Sequence, residues 1–398
     1  MEQTYFRKGF GLKREIESTL SADYHSQLVD RIRAEGHTLH AGDMTFRIAK
    51  EFGFCYGVDR AVDYAYESRR KFPERRIFLV GEIIHNPHVN EKLESMGIII
   101  LRPEQDGHFN FRDVVSDDVV LIPAFGLRVA DFTLLREIEC VLVDTTCGSV
   151  LNVWKRVERY AREGFTAVVH GKHFHEETKA TTSQVTKYEA GKYLVVRNMA
   201  EAELLCSFIK GEIPAPDLVA IFGHKVSEGF DFDRDLQRIG IANQTTMLAS
   251  ESLAIAKRIE EALGDRYGAD TLDDRFRTFD TICSATQERQ DAILELIEEP
   301  LDAMIVIGGY NSSNTNHLAK ICSKKITTYH IADASCIDVA SGAIRFKPVD
   351  TEQEAAKSGW LTGVHTIGLT AGASTPNNKI GETIERILQF KGLTINSA

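Results

Sequence analysis

The sequence predicts an α/β protein with mainly parallel sheets and more than one lobe. From Phe46 onward, short apolar runs alternate with amphipathic helical patterns, which is typical of strands connected by helices. Most of the runs are continuously apolar or β-branched, as strands buried on both faces are. The chain has 398 residues, and at about 150 residues per domain this length indicates two or three domains.

The individual elements follow from these patterns. Strands are predicted at residues 77–80, 119–122, 141–143, 167–169, 193–196, 218–222, 303–307 and 366–369. Helices are predicted at residues 58–65, 250–263 and 285–297, after Ser149, and around residues 28–32. Ser149 is the expected N-cap of its helix, because a serine hydroxyl can accept a hydrogen bond from a free N–H of the first turn.

Charge and cysteine content limit the possible partners and location. With 47 Lys and Arg against 58 Asp and Glu, the net charge is −11. This charge disfavours attraction to nucleic acid or to an anionic membrane, so we expect neither as a partner. The seven cysteines are odd in number and widely spaced, which argues against disulfides. Because the start of the chain also has no apolar signal core, we expect a cytoplasmic protein.

Three cysteines share one local context. Cys55, Cys147 and Cys283 each lie between an extended segment and the first turn of a predicted helix, and residues 144–149 resemble residues 280–285. The partial positive charge of a helix N-terminus favours a thiolate, which is the ligand that iron–sulfur clusters and zinc require. Spacing alone does not separate these two metals. Structural burial is expected for the other cysteines, Cys140, Cys206, Cys322 and Cys336.

Polar residues follow several of the predicted strands, at residues 81–86, 170–178, 308–314 and 369–376. Open α/β sheets bind ligands at the carboxyl ends of their strands, and helix starts offer N–H donors to phosphate. These segments therefore indicate a phosphate site, although clusters of Ser and Asn also occur in plain loops. A zinc site on His170, His173 and His175 is an alternative, without the H-E-x-x-H signature.

Taken in chain order, these segments resemble the 4-hydroxy-3-methylbut-2-enyl diphosphate reductase family, the last enzyme of the non-mevalonate isoprenoid pathway. The resemblance spans about residues 46–390 and is closer to the cyanobacterial and plant-type branch than to the shorter enterobacterial branch. Its motifs are Gly-Phe-Cys-Tyr-Gly-Val at 53–58, Ile-His-Asn at 84–86, Asp-Thr-Thr-Cys at 144–147, His-Glu-Glu-Thr at 175–178, Gln-Thr-Thr at 244–246, Ile-Cys-Ser-Ala-Thr at 282–286, Asn-Ser-Ser-Asn at 311–314 and Ala-Gly-Ala-Ser at 371–374.

The resemblance implies three similar α/β lobes in a pseudo-threefold arrangement around a central iron–sulfur cluster. That cluster would be a [4Fe–4S] cluster, one per subunit, held by Cys55, Cys147 and Cys283 with one iron left open. The expected boundaries are an N-terminal extension at 1–45, lobes at 46–140, 141–279 and 280–376, and a C-terminal helix and tail at 377–398 that pack back on the core.

The resemblance also implies the chemistry. Two electrons and two protons remove the allylic hydroxyl of the substrate as water, giving isopentenyl and dimethylallyl diphosphate, with the open iron as a Lewis acid. A ferredoxin or flavodoxin-type protein would supply the electrons. Glu177 would deliver a proton, and Thr245 would lie near the hydroxyl. The diphosphate would be held by His85, His175, Ser312, Ser313, Asn314 and Ser374.

One position departs from the family pattern. Where many members carry a further phosphate-binding histidine, this chain has Phe125, which cannot donate that hydrogen bond. Two other functions remain open from the residues alone. An iron–sulfur redox sensor would keep the cysteines without needing diphosphate donors, and a zinc hydrolase would use His170, His173 and His175.

Overall fold

The structure is a computed structural model that describes residues 4–105, 107–279 and 282–394. Asp280 and Thr281, which belong to the predicted repeat of residues 144–149, lie outside the described residues. The same holds for the outermost residues of the predicted extension and tail, 1–3 and 395–398. No helix in the described ranges combines the length and apolar character that crossing a membrane requires.

The elements alternate along most of the chain. The strands are β1 Tyr5–Phe6, β2 Thr38–Ala41, β3 Met44–Ile48, β4 Ile77–Val80, β5 Ile98–Leu101, β6 Val119–Ile122, β7 Val141–Asp144, β8 Thr166–His170, β9 Tyr193–Val196, β10 Ile239–Asn243, β11 Phe276–Thr278, β12 Ala303–Ile307, β13 Thr328–Ile331, β14 Ile337–Asp338, β15 Ala343–Phe346, β16 Ala355–Ser358 and β17 Thr366–Ala371. The helices are α1 Lys13–Tyr24, α2 Gln27–Ala34, α3 Tyr56–Lys71, α4 Pro87–Ser95, α5 Val129–Ile138, α6 Gly148–Arg162, α7 Glu176–Ser183, α8 Met199–Ile209, α9 Ala215–Phe222, α10 Phe232–Asp235, α11 Ala249–Tyr267, α12 Leu272–Arg275, α13 Ser284–Leu296, α14 Ser313–Ser323 and α15 Asn378–Lys391. Short 3₁₀ helices lie at Gln184–Lys187, Ala269–Thr271 and Ala334–Cys336.

The first compact unit comprises the described residues among 1–7, 75–81 and 100–283. It contains one sheet in the order β1-β7-β6-β4-β5 and a second in the order β11-β10-β8-β9. The second sheet is parallel throughout, and the pairs β1–β7, β7–β6 and β6–β4 of the first are parallel too. Strands β4, β6, β7, β8 and β10 are buried at every position. Their mainly apolar sequences suit this environment, because apolar side chains then point to both buried faces.

The second unit comprises the described residues among 8–74, 82–99 and 284–398. Its main sheet has the order β13-β12-β17-β3-β2 and is parallel except for the β2–β3 pair. A small antiparallel sheet, β14-β15-β16, belongs to the same unit. In the main sheet Phe46 of β3 pairs with Ile367 of β17. The start of the predicted first lobe thus supplies a strand to the sheet of the predicted third lobe, and the lobe boundaries stay predictions.

The predicted α/β class is confirmed, and most predicted elements lie where the sequence places them. The strand predicted at residues 218–222 is wrong, because these residues form the end of helix α9. Leu218 and Phe222, one helical turn apart, are fully buried, whereas Val219 is 54% exposed. A five-residue apolar run cannot distinguish a strand from one face of a short helix. Pro216, in the first turn, suits a helix start, where a missing N–H costs nothing.

Candidate functional site

Each of the three singled-out cysteines directly precedes a helix. Cys55 is the N-cap of α3, Cys147 is the N-cap of α6, and Cys283 immediately precedes α13. All three are partly exposed. The structure therefore confirms the local context that the sequence predicts for them, a position at the start of a helix, where the partial positive charge of the helix lies.

The other four cysteines differ from these three in burial. Burial raises the pKa of the Cys140 thiol to about 11 and that of the Cys206 thiol to about 12. Both thiols therefore keep their protons at neutral pH, which makes them poor metal ligands. The predicted buried cysteines are confirmed as buried: Cys140, Cys206, Cys322 and Cys336.

In the first unit, Cys283 lies beside the helix that Cys147 caps. The Ser149 hydroxyl donates to the Cys283 sulfur, with an Oγ–Sγ distance of 3.4 Å. The prediction that Ser149 is the N-cap of α6 is wrong by two residues, since Cys147 holds that position and Ser149 lies in the first turn. The Ser149 side chain thus contacts a cysteine instead of capping the helix.

A chain of hydrogen bonds connects Cys283 to two other predicted site residues. The Cys283 N–H donates to the Thr245 carbonyl oxygen at 3.3 Å, and the Thr245 N–H donates to Glu177 Oε1 at 2.6 Å. Glu177 is 1% exposed and Thr245 is 5% exposed. A buried carboxylate needs such donors to offset its lost hydration. The structure therefore holds the Glu177 carboxylate against the backbone of Thr245.

His175 begins the same segment as the N-cap of α7. Its Nδ1 accepts a hydrogen bond from the Glu177 N–H at 3.1 Å. An imidazole nitrogen that accepts carries no proton, so Nε2 is the donor of this ring. The His175 side chain is buried, and its fixed tautomer makes it a neutral hydrogen-bond donor.

Gln244, from the predicted Gln-Thr-Thr motif, connects the segments around these residues. Its Oε1 accepts from the Lys172 N–H at 3.0 Å and from the Thr178 hydroxyl at 3.2 Å. Its Nε2 donates to the Thr246 hydroxyl at 2.9 Å. The buried amide therefore fixes the segment of His175 and Glu177 relative to that of Thr245.

Phe125 packs against the His175 ring. The ring centroids are 5.5 Å apart and the planes are inclined by 83°, which is an edge-to-face aromatic contact. Phe125 thus contacts His175, a predicted phosphate-binding residue, through its ring. Its side chain has no hydrogen-bond donor.

The alternative zinc site on three histidines finds no support in the geometry. His170 is buried, and its Nδ1 lies 2.7 Å from the Ser252 hydroxyl. The ring of His173 instead packs against that of His224 at 4.9 Å. Among the described residues, His170, His173 and His175 are not a group whose ligand atoms all lie within 4.8 Å of one another, so they do not form a shared metal site.

In the second unit, the loop before Cys55 is held by a buried arginine. Arg289 of α13 is 4% exposed and donates to the carbonyl oxygens of Gly53 at 2.8 Å and Phe54 at 3.2 Å. The Cys55 N–H donates to the Ala373 oxygen at 3.1 Å. Sequence reasoning missed Arg289. The available signal was its place one turn before the buried Ile293, on the apolar face of its helix.

Five of the predicted diphosphate contacts lie in the second unit, and all are buried. The Ser374 hydroxyl donates to the His85 carbonyl oxygen at 3.2 Å and lies 3.5 Å from the Ser312 hydroxyl. Asn314 Oδ1 accepts from the Ala373 N–H at 2.9 Å, whereas its Nδ2 is buried without a hydrogen-bond partner in the structure. Ser312 is the N-cap of α14, and Ser313 is its first residue. An unmatched buried donor beside a helix start suits an anionic ligand.

The predicted site residues are divided between the two units. The second unit contains Cys55, His85, Ser312, Ser313, Asn314 and Ser374. The first contains Cys147, His175, Glu177, Thr245 and Cys283. Each unit brings members of its own group together, and a single site formed by both groups stays a prediction.

Comparison with known proteins agrees with the motifs. The family model described as LytB protein matches residues 46–388. A relative from Gloeobacter violaceus is 47% identical over 98% of this chain and 94% of its own length. A relative from Thermosynechococcus vestitus is 46% identical over 98% of this chain and 96% of its own length. Both are named 4-hydroxy-3-methylbut-2-enyl diphosphate reductase.

Solved structures agree as well. A structure of (E)-4-hydroxy-3-methyl-but-2-enyl diphosphate reductase matches 86% of this chain and 99% of its own, with 28% identity and a TM-score of 0.53. The Plasmodium falciparum E-1-hydroxy-2-methyl-but-2-enyl-4-diphosphate reductase matches 86% of this chain and 87% of its own with a TM-score of 0.63, and at 20% identity it supports the fold alone. From the extent of the family match and the identity of its relatives, the chain belongs to the LytB protein family.

Proposed function

We propose that this chain reduces 4-hydroxy-3-methylbut-2-enyl diphosphate to isopentenyl and dimethylallyl diphosphate, the last step of the non-mevalonate isoprenoid pathway. Relatives that bear the name of this reductase match this chain over nearly their whole length. Enzymes of the family depend on an iron–sulfur cofactor. The observation that carries the proposal is the set of three partly exposed cysteines at helix starts, beside four cysteines that are buried.

The cluster is a [4Fe–4S] cluster, one per subunit, with Cys55, Cys147 and Cys283 as ligands and one iron left open. The chemistry of these residues fits this group, because each thiol lies at the positive end of a helix and is accessible. When bound, the cluster supplies electrons and a Lewis-acidic iron to the allylic hydroxyl.

The diphosphate is bound by His85, Ser312, Ser313, Asn314 and Ser374, together with His175. This assignment is supported by the buried hydroxyl and amide donors of the second unit, the unmatched Asn314 Nδ2 and the start of α14. His175 contributes as a neutral Nε2–H donor. Neutral donors and a helix terminus bind an anion locally, which reconciles the substrate with a net charge of −11.

Glu177 delivers a proton, and Thr245 lies near the substrate hydroxyl. The support is the buried Glu177 carboxyl group, whose Oε1 accepts from the Thr245 N–H. Two electrons and two protons balance the reaction, since the C–O bond breaks and the hydroxyl leaves as water. A ferredoxin or flavodoxin-type protein supplies the electrons, and the cytoplasmic location stays a prediction from the sequence.

Anaerobic purification with iron and sulfide quantitation tests the cluster. Serine variants of Cys55, Cys147 and Cys283 should lose both iron and sulfide, whereas the matched variant Cys206→Ser should retain them. Zinc without sulfide would contradict the proposal. A redox sensor would instead show normal iron and sulfide with no calorimetric binding of the diphosphate substrate.

Turnover of the Glu177→Gln variant tests the proton role. The amide keeps the size of the carboxylate but cannot deliver its proton, so kcat should fall by about 100-fold or more. Unchanged turnover at saturating substrate and donor would remove Glu177 from this role.

A further inference from the structure

A single carboxylate oxygen connects two of the proposed diphosphate-binding segments. Glu82 lies three residues before His85, and its Oε2 is 2.7 Å from His85 Nδ1. The same oxygen accepts from Asn311 Nδ2 at 3.2 Å. Asn311 directly precedes Ser312, the N-cap of α14. Glu82 is thus bonded both to a proposed phosphate-binding ring and to the neighbour of a proposed phosphate-binding hydroxyl.

The contact with Glu82 fixes the orientation of the His85 ring. A carboxylate only accepts hydrogen bonds, so the His85 Nδ1 carries the proton in this contact. The His85 side chain is 11% exposed, against 38% for Glu82, and a charge-assisted bond is stronger where water is partly excluded. With Nδ1 engaged by Glu82, a phosphate oxygen can contact only Nε2 of this ring. Because that oxygen accepts hydrogen bonds, the contact uses the imidazolium form, in which both ring nitrogens donate.

The backbone around His85 is fixed by other groups. The Ser374 hydroxyl donates to the His85 carbonyl oxygen at 3.2 Å. The Asn86 Nδ2 donates to the Ser374 carbonyl oxygen at 2.9 Å. The Asn86 Oδ1 accepts from the Val89 N–H and so caps α4. These contacts hold the main chain, so the motion that Glu82 restrains is rotation of the imidazole ring about its own side-chain bonds.

We propose that Glu82 is a positioning residue for diphosphate binding, which holds the His85 ring and, through Asn311, the segment of Ser312. This inference rests on the proposed function, since it requires that His85 contact the diphosphate. The diphosphate group is unchanged by the reaction, so the contact stabilises the bound substrate and the transition state equally. Such uniform binding affects KM and leaves kcat nearly unchanged.

Substitutions at Glu82 test the proposal in the holoenzyme. Glu82→Ala should raise KM for the substrate and Kd for inorganic pyrophosphate by about tenfold, with kcat and iron content close to wild type. Glu82→Gln should restore most of the affinity, because its amide oxygen still accepts from Nδ1. Glu91→Ala, at an exposed carboxylate on α4, is the matched control and should change neither constant.

Two results would overturn the inference. Glu82→Ala with unchanged KM and Kd would remove the role, and so would a loss confined to kcat. His85→Ala separates this failure from that of the underlying contact. If His85→Ala weakens pyrophosphate binding while Glu82→Ala does not, only the role of Glu82 fails. If His85→Ala also leaves binding unchanged, the proposed contact of His85 fails and the role of Glu82 fails with it.

Discussion

His330 should make the stability of the second unit depend on pH. It lies in β13, is 2% exposed, and donates Nε2–H to the Gly308 carbonyl oxygen at 3.0 Å. Burial lowers the pKa of this imidazole from 6.5 to about 4, although the bond to Gly308 opposes that shift. The folded chain therefore holds His330 neutral at pH values where an unfolded chain protonates it.

The sign and size of the effect follow from this difference. Between pH 6.5 and about 4 the unfolded chain binds one more proton at this position, so the free energy of unfolding falls as the pH falls. From pH 7 to pH 5 the loss is about 2 kcal/mol. Replacement of His330 by a residue that does not titrate removes this part of the pH dependence.

Urea unfolding of the wild type and of His330→Gln at pH 7 and pH 5 measures the loss. A shared Trp154→Phe background leaves Trp360 as the fluorescent reporter, and Trp360 packs against Tyr329, next to His330. The stability of the wild type relative to the variant should fall by about 2 kcal/mol between the two pH values. His330→Asn should give the same difference. An equal pH dependence in all three proteins would refute the reasoning.

Three further predictions concern the site. Arg289→Lys loses the paired contacts to the loop before Cys55, so a chelator should remove iron from this variant about tenfold faster than from the wild type. An iron-removal rate equal to that of the wild type would contradict this role of Arg289. An alanine Cβ at Gly309 would lie 2.9 Å from the His85 carbonyl oxygen, so Gly309→Ala should displace His85 and raise KM severalfold. An unchanged KM would argue against the close packing of Gly309 on His85. In the metal-free protein at pH 8, iodoacetamide should modify Cys55, Cys147 and Cys283, the proposed ligands. Burial raises the pKa of Cys206 to about 12, so Cys206 should react only after unfolding, and mass spectrometry would show the difference.

The sequence could predict elements whose local pattern has one interpretation. The run at 303–307 is apolar at every position and forms the fully buried β12. The run at 218–222 is equally apolar and forms a helix, because a short run fits either structure. Local sequence patterns could not predict which strands pair with each other in the sheets. Phe46 pairs with Ile367, although most of the chain lies between them in the sequence. The residues next to Phe46 do not indicate this partner.

The candidate site shows the same limit. Cys55, Cys147 and Glu177 could be singled out because each stands in a motif at a helix start. Glu82 and Arg289 were missed because their roles come from tertiary contacts with Asn311 and with the Gly53 carbonyl, which lie far away in the sequence. Residues proposed to contact a ligand thus have recognisable motifs, whereas the residues proposed to orient them are identified by their partners in the fold.

Mössbauer spectroscopy of the holoenzyme labelled with iron-57 tests most directly whether three thiolates hold the cluster and leave one iron open. One quarter of the iron signal should differ from the rest, and this part alone should shift when the diphosphate substrate is added. Four equivalent irons that do not respond to the substrate would contradict a cluster held by Cys55, Cys147 and Cys283 alone.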